Sequence, residues 1–275
     1  MKQKTNKKIP IVMAAFGTTT NAMKTYTFMD TIFRNRFPNY FIYWSYSSRT
    51  VRERMQKERQ INIKQPQDVL NLLSEKGYTW AVVQSLHLTP GYEFDLLVKN
   101  TINHDIRVSI GLPLLYTPND YDNVIQTLES VYHLSDHFND KSLAQVIIGH
   151  GTTHPSWTSY LALNNMVQQK WPHKGILVTT IEYPLIERVE FINKILKSGY
   201  TKVRLIPLLL VTGNHFIKDL SGAENSWKSD CESAGLSVTL ETEGIGFKTE
   251  FVQLFCEHIE SAIDVIPLSL PLGDF

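Results

Sequence analysis

Cysteine is nearly missing from this chain of 275 residues: Cys231 and Cys256 are the only two. Two thiols set so far apart make neither a thiolate zinc cluster nor a disulfide framework, and they fit a reducing compartment. An excess of either charge is missing too, because 27 lysines and arginines balance 27 acidic residues. Proteins that grip phosphate backbones usually carry a basic surplus, so no nucleic acid partner is expected. No apolar run reaches bilayer-spanning length, and no membrane association is expected. The basic start at 1–8 leads into a stretch, 9–16, too short and too strand-like for a secretion signal; the expected location is cytoplasmic. Gly-x-Gly-x-x-Gly and Walker loops are absent, which argues against nucleotide binding, and no Gly-x-Ser-x-Gly elbow offers a hydrolase serine. No organic cofactor is expected.

What is present is ample core. Hydrophobic residues make up 43% and charged residues 20%, the balance of a globular protein with room for one large or two moderate domains. Short β-branched runs predict strands over 9–16, 40–46, 80–86, 107–112, 144–148, 176–181, 202–210 and 237–240. Helical patterns lie between them: from the hydroxyl-rich run at Thr18 to about Phe37, then 49–59, 66–76, from Glu93 to about Asn100, 119–132, 156–170, 185–197, 225–231 and 248–264. Alternating strands and helices imply parallel sheets with right-handed crossovers. The polar stretch 133–141 is the natural boundary, giving an N-terminal half, 1–138, and a C-terminal half, 139–275. The tail over 265–275 has no helical period.

The chain also repeats itself. Ile11 to Thr20 resembles Val146 to His154, with Phe16 opposite His150, 134 residues on; Arg52-Glu53-Arg54 falls on Ile186-Glu187-Arg188 at the same offset. Lys76-Gly77-Tyr78-Thr79 matches Ser198-Gly199-Tyr200-Thr201 at an offset of 122, which sets Glu93 opposite His215. The first copy therefore carries about twelve extra residues, expected around 61–67. Two copies of an α/β unit this long suggest two similar halves facing a central cleft. The copies differ at their strand ends, where an imidazole-rich wall would face one more apolar and acidic.

Parallel sheets build sites where strands end, since the buried strand fixes the backbone and the following loop is free to vary. His150, His154, Glu182 and His215 stand at such ends in the second half, with His87 and Glu93 in the first. A lone histidine there is more often an ordinary hydrogen-bonded loop residue; two at equivalent ends point to a shared site. Imidazoles with a carboxylate suit a borderline divalent ion such as Co²⁺, Fe²⁺, Ni²⁺ or Zn²⁺. Arg49, Arg52, Arg54, Lys57 and Arg59 share the second predicted helix with Glu53 and Glu58. They read either as a solvated face of i,i+4 pairs or as a cradle for a polycarboxylate.

Several motifs in order resemble the class II tetrapyrrole chelatases, and among them the sirohydrochlorin cobaltochelatases of the anaerobic cobalamin pathway. They are Ala15-Phe16-Gly17-Thr18; Gln84-Ser85-Leu86-His87 with Gly91 and Glu93; Gly111-Leu112-Pro113-Leu114-Leu115 with Asn119-Asp120-Tyr121; Gly149-His150-Gly151; Pro207 to Val211 with Gly213 and His215; and Ser226-Trp227-Lys228 with Ala234-Gly235. The resemblance spans roughly 9–264. It implies two pseudo-symmetric flavodoxin-like halves around the cleft, and insertion of a divalent metal, Co²⁺ first and Fe²⁺ or Ni²⁺ next, into sirohydrochlorin or a relative. The metal would be held by His150, His215 and Glu182, which would also carry the chemistry. His87 and Glu93 would face the macrocycle from the opposite wall, and Arg49, Arg52 and Arg54 would meet its carboxylates. A homo-oligomer is an open expectation. Two departures stand out. Glu182-Tyr183-Pro184 are contiguous where the family usually has a residue between the glutamate and Tyr-Pro, so the loop is shortened or the carboxylate is moved or lost. Asn214 stands where an acid often precedes the histidine. Insertion of Fe²⁺ for sirohaem and a non-catalytic tetrapyrrole or metal carrier are the alternatives.

Overall fold

The computed structural model describes residues 9–20, 22–102, 105–184 and 186–266; the basic start at 1–8 and most of the expected tail, 267–275, lie outside them. Among the described residues no helix is long and apolar enough to cross a membrane.

The first sheet contains β1 (Ile11–Ala15), β2 (Ile42–Tyr46), β3 (Trp80–Ser85) and β4 (Arg107–Gly111), in the order β2-β1-β3-β4 and all parallel. The second contains β5 (Leu143–Gly149), β6 (Ile176–Thr180), β7 (Lys202–Leu208) and β8 (Ser237–Leu240), in the order β6-β5-β7-β8, again all parallel. The central strands are apolar without alternation because helices cover both sheet faces; every residue of Ile11–Ala15 is fully buried. The chain leaves β1 and β3, and likewise β5 and β7, toward opposite flanks of its sheet. Each such pair forms a switch point, the crevice where open α/β sheets take ligands.

In the first half the helices are α1 (Met23–Arg36), α2 (Arg49–Arg59), α3 (Pro66–Glu75), α4 (Tyr92–Thr101) and α5 (Pro118–Tyr132). Those of the second are α6 (Thr158–Lys170), α7 (Arg188–Lys197) and α8 (Trp227–Ser233), followed by the last helix, α9 (Thr249–Asp264). Local chemistry starts several of them. Gln65 and Asp68 form a capping box before α3, Thr117 and Asp120 one before α5, and Ser226 and Ser229 one before α8; Pro66 and Pro118 open their helices, where a missing N–H costs nothing. The threonine-rich run does not cap α1 directly. Thr20 accepts from Ala22 N, and the helix begins only at Met23.

Two placements differ from the expectation. The extra residues of the first copy are not confined to 61–67. From the end of β2 to the start of α3 the chain inserts α2 and its turn, whereas β6 runs to α7 through a short loop, so α2 has no counterpart and the pairing of Arg52-Glu53-Arg54 with Glu187 does not hold in space. The segment after α2 covers the open edge of β2 through Lys64 O, which accepts from Tyr46 N at 2.9 Å. In the second half Asn164 of α6 does the same for β6, accepting from Val178 N at 2.9 Å.

The other difference is α9. It follows the second half in sequence yet packs on β3, β4, α1 and α5 of the first. Phe251, Phe255, Ile259 and Ile263 join the core that also holds Ile11, Met13, Val82 and Leu128. Ser109 of β4 donates to Ala262 O at 2.6 Å, and His258 lies 2.8 Å from Leu112 O and 3.0 Å from Asp120 Oδ1.

Candidate metal centre

The second switch point is built outward from two glycines, Gly149 and Gly151. Gly149 ends β5 against Tyr160 of α6, so closely that a β-carbon there would come within 2.1 Å of the ring. The buried Tyr160 hydroxyl accepts from the backbone N–H groups of His150 and Gly151, and burial pushes its pKa up to about 12. The turn that presents His150 is thus held from below. Gly151 has φ +90°, and a β-carbon on it would lie 1.8 Å from Glu182 O. Only glycine lets the loop after β6 cross here, and Glu182 N then donates to His150 O at 2.8 Å. The contiguous Glu182-Tyr183-Pro184 turns by placing Tyr183 in the left-handed region, φ 48°.

The Glu182 carboxylate consequently sits between two imidazoles, 3.9 Å from His150 Nδ1 and 3.8 Å from His215 Nδ1. The two rings meet edge to face with centroids 4.5 Å apart. One donor atom from each of His150, Glu182 and His215 falls within 4.8 Å of the others, the only such metal-competent group among the described residues. A first-row ion with bonds of about 2.1 Å holds donors about 3.4 Å apart in a tetrahedral arrangement and at most about 4.2 Å apart, so the three side chains must draw inward to grip one. The side chains are 40–48% exposed, so the cluster is open to solvent.

Each imidazole is already oriented. His150 Nδ1–H donates to Gly151 O at 3.1 Å, and His215 Nδ1–H donates to Asp219 Oδ2 at 2.9 Å. With both Nδ1 atoms occupied as donors, the free lone pair of each ring is on Nε2. Asp219 reaches back because His215 opens a single π-helical turn, Phe216–Leu220, closed by Ser221 N donating to Phe216 O.

At the first switch point the matching positions hold other chemistry. Phe16, opposite His150, is 47% exposed at the end of β1. His87, just past β3, has Nδ1 2.8 Å from Ser85 Oγ and a buried Nε2 without a partner; burial pulls its pKa down to about 4, so the ring is neutral near pH 7. Glu93 likewise has a buried Oε2 without a partner. The halves meet beside these loops. Gly213 approaches Thr18 so that a β-carbon would be 3.3 Å from its hydroxyl, and Gly91 approaches Ser156 in the same way at 3.4 Å.

Comparison with known proteins adds the decisive observation: the family described as cobalt chelatase (CbiK) matches residues 9–264. The chain belongs to that family. It is 31% identical over 270 residues to a protein of Nitratidesulfovibrio vulgaris named sirohydrochlorin cobaltochelatase CbiKC, covering 93% of this chain and 91% of that one. It is 28% identical to the sirohydrochlorin cobaltochelatase of Salmonella typhimurium, over 83% and 85% of the two chains. The fold also matches solved structures of SirB from Bacillus subtilis. The sirohydrochlorin chelatase of subspecies spizizenii in complex with cobalt aligns at a TM-score of 0.60 and 15% identity, over 94% of this chain and 96% of that one. SirB with Fe³⁺ aligns at 0.65 and 17% identity, over 93% and 95%.

Within this family member the arginines divide. Arg52 is taken up by the protein, donating to Tyr46 O at 2.8 Å, Ser47 O at 2.6 Å and Gln65 Oε1 at 3.1 Å, and so braces α2 against the end of β2. Arg49 pairs with Glu53 at 2.6 Å on the exposed face, and Arg54 is exposed beside it. No ion pair joins these arginines to His150, Glu182 or His215 among the described residues. Reading the strand ends missed Asp219 and Tyr160. Both carried a signal: Asp219 the i,i+4 spacing from His215, and Tyr160 its match to Tyr26 at the offset of 134, where Gly17 N donates to the Tyr26 hydroxyl.

Proposed function

We propose that this protein is a sirohydrochlorin cobaltochelatase, inserting Co²⁺ into a sirohydrochlorin-type tetrapyrrole. Family membership supports the reaction class, and the convergence of His150, Glu182 and His215 from three loops at one switch point is the observation that carries the site. The ion is a substrate, held in passing. Insertion takes in one dication and releases two pyrrole N–H protons, so donors for the metal and acceptors for the protons must share one face of the ring. His150 and His215 bind through Nε2. Once the ion has passed to the ring and freed its Nε2, His150 accepts a pyrrole proton there, and Glu182 serves as third donor or carries a proton out. His87 and Glu93 face the ring from the other wall; a neutral His87 leaves that wall free of the charge that would repel an arriving cation. Arg49 and Arg54 meet substrate carboxylates, while Arg52 holds their helix in place.

The test is anaerobic visible spectroscopy of sirohydrochlorin with Co²⁺, following loss of the free-base spectrum with and without protein. Acceleration that disappears in His150→Ala and His215→Ala supports the reading. Wild-type turnover in both variants refutes the site, and faster insertion of Fe²⁺ or Ni²⁺ reassigns the metal.

A further inference from the structure

The loops that bring the halves together beside Gly91 and beside Gly213 are equivalent in the repeat, yet they are built from different residues. Beside Gly91 the loop after β5 carries His154. Its Nδ1 accepts from Ser156 N at 3.1 Å, which leaves the ring proton on Nε2, and Nε2–H donates to Asp95 Oδ2 of α4 at 3.1 Å. The ring also packs edge-on against Tyr92, centroids 4.8 Å apart at 77°. Tyr92 and Asp95 flank Glu93, and His154 lies four residues past His150. One side chain thus ties the helix bearing one wall of the cleft to the loop bearing the other.

Beside Gly213 the positions matching His154, Tyr92 and Asp95 hold other residues. The repeat puts Thr20 opposite His154, Asn214 opposite Tyr92 and Ile217 opposite Asp95. Thr18 bonds locally to Thr20, and Gly213 O accepts from Ile217 N. Among the described residues no hydrogen bond or ion pair joins Thr18 or Thr20 to 213–217.

We propose that His154 is a positioning residue, pinning the Glu93 wall to the His150 wall through Asp95 and Tyr92. The inference rests on the chelatase reading above. An intact tie sets the width of the slot that grips the ring without touching the metal donors. Breaking it should therefore weaken the ring's hold and spare the ion's.

His154→Asn keeps an acceptor for Ser156 N but falls short of Asp95; Asp95→Ala removes the partner; Asp95→Asn keeps an acceptor. The first two should each raise KM for sirohydrochlorin about three- to tenfold with KM for Co²⁺ unchanged, the double variant should be no worse than either, and Asp95→Asn should stay near wild type. A disulfide from Gly91→Cys with Ser156→Cys, which joins the same two walls covalently, should bring KM for sirohydrochlorin back toward the wild-type value in the Asp95→Ala background. Additive single effects, an equal rise in KM for Co²⁺, or no recovery on forming the disulfide would overturn the proposal. Should the wild-type protein bind the ring without metal insertion, the chelatase reading fails by itself, and the same ratios are then read from ring binding by tryptophan quenching.

Discussion

At the switch point of the second sheet, His150 and His215 stand half-exposed, each with Nδ1 engaged and Nε2 free. At that of the first, Phe16 and Glu93 hold the matching positions, and the polar atoms there, Glu93 Oε2 and His87 Nε2, are buried without partners. Strand order and direction are the same in both. The difference lies in residues at the strand ends, which a duplicated scaffold can change without disturbing either core. On the function proposed above, one half presents donors to an ion and the other a surface to a ring.

The hardest test of that division removes the donors. His150→Ala and His215→Ala should each lower kcat/KM for Co²⁺ insertion by about a hundredfold or more, with far-ultraviolet circular dichroism unchanged. Phe16→Ala should leave Co²⁺ binding intact, because that position makes no contribution to the ion's site; an equal loss of Co²⁺ affinity would break the comparison.

Next comes the backbone crossing, which both halves contain, Ser48 N on Phe16 O and Glu182 N on His150 O, but which is tighter in the second, where a β-carbon on the glycine would meet backbone. Gly151→Ala places a methyl against Glu182 O and forces a residue with a side chain into the left-handed region, and should destabilise the protein by about 3 kcal/mol in urea titration while also weakening Co²⁺ binding. A variant of wild-type stability would mean the Glu182 loop can move aside.

Asp219 separates orientation from ligation. Asp219→Ala should weaken Co²⁺ affinity roughly ten- to a hundredfold by titration, and Asp219→Asn, which retains an acceptor, should lose less. Equal losses would show that the carboxylate acts by charge alone.

His87 sharpens the comparison from the other side. Its folded pKa, about 4, lies below the ordinary value of 6.5, so the unfolded chain binds more protons between those two values and stability falls as pH drops through that window. The loss amounts to at most roughly 3 kcal/mol. His87→Phe should flatten the decline between about pH 6.5 and 4 in urea titrations. The smallest effect belongs to Arg49→Ala, which removes an exposed pair and should leave Tm unchanged, whereas Arg52→Ala should lower it by freeing the carbonyls of Tyr46 and Ser47.

Much of this architecture was legible because parallel strands are buried on both faces and read as largely apolar runs, unbroken in Ile11–Ala15 and interrupted only at Gln145 in Leu143–Gly149. His150 and His215 were legible because each follows such a run at a glycine. The destination of α9 was not: its periodicity declares a buried face but carries nothing to say which sheet receives it. The extra residues of the first copy were misplaced because a short tripeptide match, Arg52-Glu53-Arg54, held the alignment in register across what is in space an added helix. The bond from His154 to Asp95 joins residues 59 apart with no periodicity between them, so it emerges only when the halves come together.

The return of α9 bears on how the chain is made. On a ribosome β1 to β4 emerge first, yet the apolar surface they share with Phe251, Phe255 and Ile259 stays uncovered until the last helix is synthesised. The second sheet, translated later, has its strands and α6 to α8 in hand before α9 appears. The half made first is therefore the half completed last, and a nascent chain halted before 249 carries its older portion in the less protected state.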